Sequence, residues 1–167
     1  MPAEKYLWDR RCDVRLRALM NRIYYQERQR IFEFRDGFVK VVALLAGSVA
    51  FAKVADAQVI QYCAAAITVT SAGSLVFGFG NKARDSAKRS AEWALLERDI
   101  ESAGERHYTE DQLNQWFARC NEIEASEPAA HPALLERSYQ RACDAIGSKP
   151  IGQPSFWRRH RPVLILH

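Results

Sequence analysis

The chain has 167 residues, 24 Lys and Arg against 20 Asp and Glu, and 48% hydrophobic residues, a balance that on average resembles one ordinary globular domain. The excess of four positive charges is too small and too dispersed to mark a nucleic-acid binder, so nucleic acid is not expected as a partner. Cys12, Cys63, Cys120 and Cys143 lie far apart with no Cys-x-x-Cys, which excludes a disulfide framework.

The N-terminal segment carries charges through Asp36 and has no apolar centre of a secretory signal. From Lys5 to Arg35 there is neither Gly nor Pro, and Leu16, Leu19 and Ile23 recur at helical spacing, which predicts one long amphipathic helix over 1–37. Gly37 is the expected kink where that helix meets the apolar block. Tyr24, Tyr25, Phe32, Phe34 and Phe38 crowd this entry point, as rings at a membrane interface would, and packing on a neighbouring helix accounts for them equally well.

Two apolar runs follow, Phe38 to Ala55 and Val59 to Phe79, separated by Asp56-Ala57-Gln58. A bilayer core of about 30 Å needs about 20 apolar helical residues per crossing. The second run meets this. In the first, only Val41 to Ala52 is free of charge, so Lys40 and Lys53 must snorkel to the interfaces. These runs predict a transmembrane helical hairpin over 38–80, with the lipid bilayer as its partner. A soluble bundle that buries the same hairpin at its centre has the same composition and remains the competing architecture. The basic flanks, Arg10 to Arg35 before the hairpin and Lys82 to Arg89 after it, place both termini in the cytoplasm by the positive-inside tendency. Lys40, Lys53, Lys82 and Arg84 are the expected interface anchors.

Small side chains recur along both runs: Ala43 and Gly47 in the first, Ala66, Thr70, Ser74 and Gly78 in the second. In lipid such faces let helices approach closely and share hydroxyl hydrogen bonds, so these six are expected to carry helix association, within the hairpin or between copies in a homo-oligomer. Gln61, Thr68 and Ser71 are the candidate polar lining of an aqueous path, which needs several copies because two helices cannot surround a pore.

Past Gly80-Asn81 a cytoplasmic helical region is expected over 81–148. Lys82 to Ala103 reads as a helix with Trp93, Leu96 and Ile100 on one stripe, ended by Gly104. Thr109 and Gln112 form a capping box ahead of Leu113, Trp116, Phe117, Cys120 and Ile123. Pro132 opens a last helix through Leu135, Tyr139, Ala142 and Ile146, which Gly147 stops. Glu92, Glu97, Asp99 and Glu101 are expected to pair with Lys88, Arg89 and Arg98 along their own helix. The stretch 149–167 reads as a mobile basic tail. The fold class is therefore all-α: a two-span hairpin with long cytoplasmic amphipathic helices on both sides.

No catalytic pattern is present: there is no G-x-S-x-G, H-E-x-x-H or Walker A sequence. Gly78, Gly80 and Ala83 match G-x-G-x-x-A but lack the flanking strands a dinucleotide site needs. Cys120, His131 and Cys143 lack a fourth ligand. No enzyme activity, cofactor or metal is expected.

The segments Arg22-Ile23-Tyr24-Tyr25-Gln26-Glu27-Arg28 before the hairpin, Asn81-Lys82-Ala83-Arg84-Asp85-Ser86-Ala87-Lys88-Arg89 after it, and Glu97-Arg98-Asp99-Ile100-Glu101 beyond give an architecture that resembles the SLATT superfamily of bacterial two-transmembrane-helix membrane effectors, associated with SLOG and SMODS systems. The resemblance runs from about Tyr6 to Ile146. It implies an oligomeric inner-membrane protein that acts as a pore-forming or membrane-disrupting effector in bacterial defence, triggered through a soluble sensor or partner protein. Two alternatives follow from the residues alone: a membrane-anchored adaptor that binds a soluble partner through Trp93, Trp116 or Phe117, and a phage-encoded holin-like protein.

Overall fold

The computed structural model describes residues 2–51 and 56–150. Lys53 and the tail over 151–167 lie outside the described residues. Among those described there are five helices and no strand: α1 (Pro2–Phe51), α2 (Ala57–Phe77), α3 (Phe79–Ser102), α4 (Glu110–Ala125) and α5 (Pro132–Ala145). They fall into two compact units, Met1–Arg28 with Ser86–His167, and Gln29–Asp85. Helix α1 contributes to both and continues unbroken across Gly37, where a kink was expected.

The first unit is a helical bundle whose buried positions recur in alternating steps of three and four. Arg11, Val14, Ala18, Asn21 and Tyr25 are buried on α1, Ser86, Ser90, Trp93, Glu97 and Ile100 on α3, and Leu113, Trp116, Cys120 and Ile123 on α4. This is the spacing of knobs-into-holes packing. Full burial of a side chain such as Ile100 or Leu113 stabilises the bundle by about 1.5–3 kcal/mol. Contacts fix the directions of the helices. Arg11 donates to the Ile100 carbonyl (3.4 Å), Arg15 to Glu101 (3.0 Å), and Arg89 lies over the Tyr25 ring (6.0 Å), so α1 and α3 run antiparallel. Arg10 covers Phe117 (4.4 Å) and Arg17 grips both carboxylate oxygens of Glu124, so α1 and α4 run the same way.

The local signals at the helix ends act as the sequence suggests. Thr109 and Gln112 cap α4 reciprocally, Gln112 N donating to Thr109 Oγ1 (3.2 Å) and Thr109 N to Gln112 Oε1 (2.9 Å). Pro132 sits in the first turn of α5, and Gly104 and Gly147 take the left-handed conformations that end α3 and α5.

Three expectations are corrected. Glu97 and Glu101 pair across the bundle with Arg22 (3.0 Å) and Arg15 (3.0 Å) rather than along α3, because their face of α3 lies against the arginines of α1. Asp99 does pair with Arg98 (2.8 Å). The buried face of α5 is Leu134, Ser138, Ala142 and Cys143, so of the expected stripe only Ala142 is buried, while Leu135, Tyr139 and Ile146 are half-buried. Trp93, offered as a partner-binding residue, is wholly inside the bundle, where its Nε1 donates to Glu127 Oε1 (2.7 Å). Trp116 is also buried.

Polar groups inside this unit are held by specific partners. Glu97 is buried and its pKa is raised, chiefly by desolvation, with Arg22 opposing. The Glu127 carboxyl is likewise raised by burial, while hydrogen bonds from Trp93 and Tyr25 pull it down. Burial also raises the Tyr25 phenol, and it pushes the Cys120 thiol up to about 11, leaving that cysteine an unreactive core residue at neutral pH. The connector between α4 and α5 is tied down by Arg89 donating to the Ser126 carbonyl (2.7 Å) and by His131 N donating to Tyr24 Oη (2.9 Å).

Candidate membrane-facing surface

The second unit has the opposite character. The stretch Ala57–Ser102, α2 continued by α3 across Gly78, is long and apolar enough to cross a membrane, and none of its apolar window is buried; among the described residues it is the one helix that meets that test. No residue of α2 is buried. Leu75 and Val76 are 85% and 80% exposed, and Tyr62 and Val69 are also exposed, as are Val41, Leu44 and Leu45 on α1. An apolar surface of this extent in contact with water is unfavourable and marks contact with lipid or with another protein. A soluble bundle with Phe38 to Phe79 at its centre would bury these side chains, and this chain folded on itself does not. At about 1.5 Å per residue, the 21 residues of α2 span roughly 32 Å, the thickness of a hydrocarbon core.

Exposure varies around each helix with helical period. On α2 the half-buried positions are Cys63, Ala66, Ile67, Thr70, Gly73 and Ser74, and on α1 they include Val42, Ala43, Ala46 and Gly47. The expected association residues Ala43, Gly47, Ala66, Thr70 and Ser74 thus lie on the partly covered sides, while Gln61, Thr68 and Ser71 are exposed. A Cβ added at Gly47 or Gly73 would meet nothing within 4 Å. The hydroxyls are satisfied within their own helices: Thr68 donates to the Ala64 carbonyl (2.8 Å), Thr70 to Ala66 (2.7 Å) and Ser48 to Leu44 (2.9 Å). The interhelical hydroxyl bonds expected for Thr70 are replaced by this local pairing, which removes much of the cost of placing a hydroxyl in hydrocarbon.

Gly78 has a role that its place in a small-residue series conceals. Its φ is 56°, the left-handed conformation that caps α2, and its N–H donates to the Ser74 carbonyl (3.0 Å) before α3 begins at Phe79. The break after the second apolar run is therefore this single residue, not Gly80-Asn81.

Aromatic and basic side chains converge at this end of the hairpin. Phe79 stacks on Phe32 (6.4 Å between centroids) and on Phe77 (5.5 Å). The Arg35 guanidinium lies 6.0 Å from the Phe32 ring and 5.9 Å from Phe79, and Lys82 Nζ lies 5.7 Å from Phe32. Lys40 pairs with Asp36 at 2.6 Å, and Arg84 donates to the side chain of Asn81. The ambiguity over the aromatic residues is resolved: Tyr24, Tyr25 and Phe32 are packing residues, each buried, while Phe34 and Phe38 are 73% and 60% exposed. Arg35, Phe77 and Phe79 were not singled out from sequence. The signal was available in the short spacings Phe32 to Arg35 and Phe79 to Lys82, but the meeting of two helices on one stack is a tertiary fact.

Among the described residues no group of three His, Cys, Asp or Glu side chains is placed to hold a metal ion. All four cysteines are free thiols. The chain matches no protein-family model, no curated protein and no solved structure, so the reading of this surface rests on its own chemistry.

Proposed function

We propose that this chain is an inner-membrane protein of bacteria whose hairpin, 38–80, crosses the bilayer twice with both termini in the cytoplasm, and that it assembles through the hairpin into a pore-forming or membrane-disrupting effector of the kind the SLATT resemblance implies. The observation that carries this reading is the fully apolar window of α2 with no buried residue. In water that surface is a liability; in hydrocarbon it is matched to its solvent. Lys40, Lys82 and Arg84 then lie at the cytoplasmic interface, Ala43, Gly47, Ala66, Thr70 and Ser74 carry helix contacts, and Gln61, Thr68 and Ser71 offer polar groups to a path between copies. The bundle of α1, α3, α4 and α5 is the part that a soluble partner would engage.

A second reading, a membrane-anchored adaptor, draws on the exposed Tyr6, Trp8 and Leu95 of the bundle, which replace the buried Trp93 and Trp116 as partner-binding candidates. Expression of the full chain in bacteria, followed by alkaline-carbonate extraction and a potential-sensitive dye, separates the readings. Retention in the membrane with depolarisation supports the effector, retention with normal potential supports the adaptor, and recovery in the soluble fraction rejects both.

A further inference from the structure

We infer that the base of the hairpin is a recognition collar for anionic phospholipid, in which Arg35 and Lys82, seated on the Phe32–Phe79 stack, contact lipid phosphates of the leaflet that faces the termini. The inference rests on the membrane-spanning reading above and adds to it the chemistry of the lipid. Three features carry it. The first is position: Phe79 follows directly on the residue that caps α2, so the stack marks the level at which the apolar surface ends. The second is organisation. Arg35 comes from α1 and Lys82 from α3, yet both lie about 6 Å or less from the face of Phe32, a ring that is 1% exposed. A guanidinium over a ring face keeps its in-plane N–H groups for a phosphate, and side chains already held in place lose little freedom on binding.

The third feature is sign. Residues 29–40 and 78–85 carry the cations Arg30, Arg35, Lys40, Lys82 and Arg84 against the carboxylates Glu33, Asp36 and Asp85, and Asp36 is itself engaged by Lys40 at 2.6 Å. The opposite end of α2 begins at Asp56. A field of this polarity attracts the negative surface of a cytoplasmic leaflet. The exposed rings of Phe34 and Phe38 beside these cations favour a lipid over a free phosphate, because a headgroup arrives with acyl chains for those rings to meet and an inorganic ion does not.

The test uses the full chain reconstituted into phosphatidylcholine vesicles that carry a trace of spin-labelled phosphatidylglycerol or spin-labelled phosphatidylcholine, with the motionally restricted fraction read by electron paramagnetic resonance. At low salt the labelled phosphatidylglycerol is expected to be favoured on the order of fivefold, the effect of about one well-placed cation at a membrane surface. High salt should erode the preference. The Arg35→Gln/Lys82→Gln double variant should bring the ratio close to one, whereas Arg35→Lys and Arg106→Gln, the latter in the α3–α4 connector, should retain it. Equal restriction of the two lipids, a preference that ignores salt, or one that survives the double variant in a chain with unchanged circular dichroism would overturn the inference. Loss of the preference on adding inorganic phosphate at constant ionic strength would assign the collar to a free ion and overturn it too. Vesicle flotation keeps the two levels apart: a chain that floats without lipid preference sinks only the collar, and a chain that neither floats nor restricts either lipid sinks the spanning reading with it.

Discussion

Replacing Trp93 with Phe tests how the bundle holds its buried polar groups. Trp93 is wholly buried, and its indole N–H donates at 2.7 Å to Glu127, a carboxylate whose pKa burial raises. Loss of a hydrogen bond to a charged acceptor costs about 1.5–3 kcal/mol, and the smaller ring adds about 1 kcal/mol of lost packing. For a chain of this size each kcal/mol lowers the melting temperature by about 2–4 °C, so Trp93→Phe should lower it by roughly 5–15 °C. In a Glu127→Gln background the acceptor is neutral, and the same substitution should cost about 1 kcal/mol less, a difference read as coupling. Near-ultraviolet circular dichroism of the detergent-solubilised full chain reports both melts. Equal costs in the two backgrounds, within about 0.5 kcal/mol, would refute the reasoning and reduce Trp93 to a packing residue.

Glu97 and Glu127 both have raised pKa values, so the folded bundle holds protons more tightly at these sites than the unfolded chain does; their contribution favours the fold below the ordinary Glu range and is lost as pH rises through the raised values. The Glu97→Gln/Glu127→Gln double variant should accordingly show a flatter fall in melting temperature from about pH 5 to pH 7 than the parent chain, and an unchanged slope would count against burial as the cause. Thr109→Ala removes one half of the α4 capping box and should cost about 1 kcal/mol in the same melts, whereas Thr109→Ser should cost almost nothing. Val69→Arg places a charge at an exposed position midway along α2, at about 2.5–3.5 kcal/mol in a bilayer, and should reduce the carbonate-resistant fraction while leaving the bundle's melting temperature unchanged. Undiminished membrane retention would argue that this face of α2 does not meet lipid.

What the sequence makes legible is what acts locally. The capping box of Thr109 and Gln112, Pro132 at the start of α5 and the glycines that end α3 and α5 all operate within a few residues, and the structure carries each of them. The stripe Trp93, Leu96 and Ile100 is equally visible because it is apolar. The full seam of the bundle is not, since Arg11, Asn21, Ser86, Ser90 and Glu97 occupy buried positions that hydropathy assigns to the surface. Their burial depends on partners 68 to 89 residues away, such as Arg22 for Ser90 and Ile100 for Arg11. The same holds for the hairpin. Its apolar character and its flanking cations are plain in the sequence, but the Phe32–Phe79 stack with Arg35 and Lys82 upon it exists only once α1 and α3 meet.

The most direct test of the central claim is topological. In a chain freed of its four cysteines, the single substitutions Asp56→Cys, at the start of α2, and Arg106→Cys, between α3 and α4, are to be probed with a membrane-impermeant maleimide on intact spheroplasts and again after lysis. The expected result is labelling of the Asp56→Cys chain before lysis and of the Arg106→Cys chain only after it. Labelling of both positions only after lysis, with the protein recovered in the soluble fraction, would contradict a hairpin that crosses the membrane.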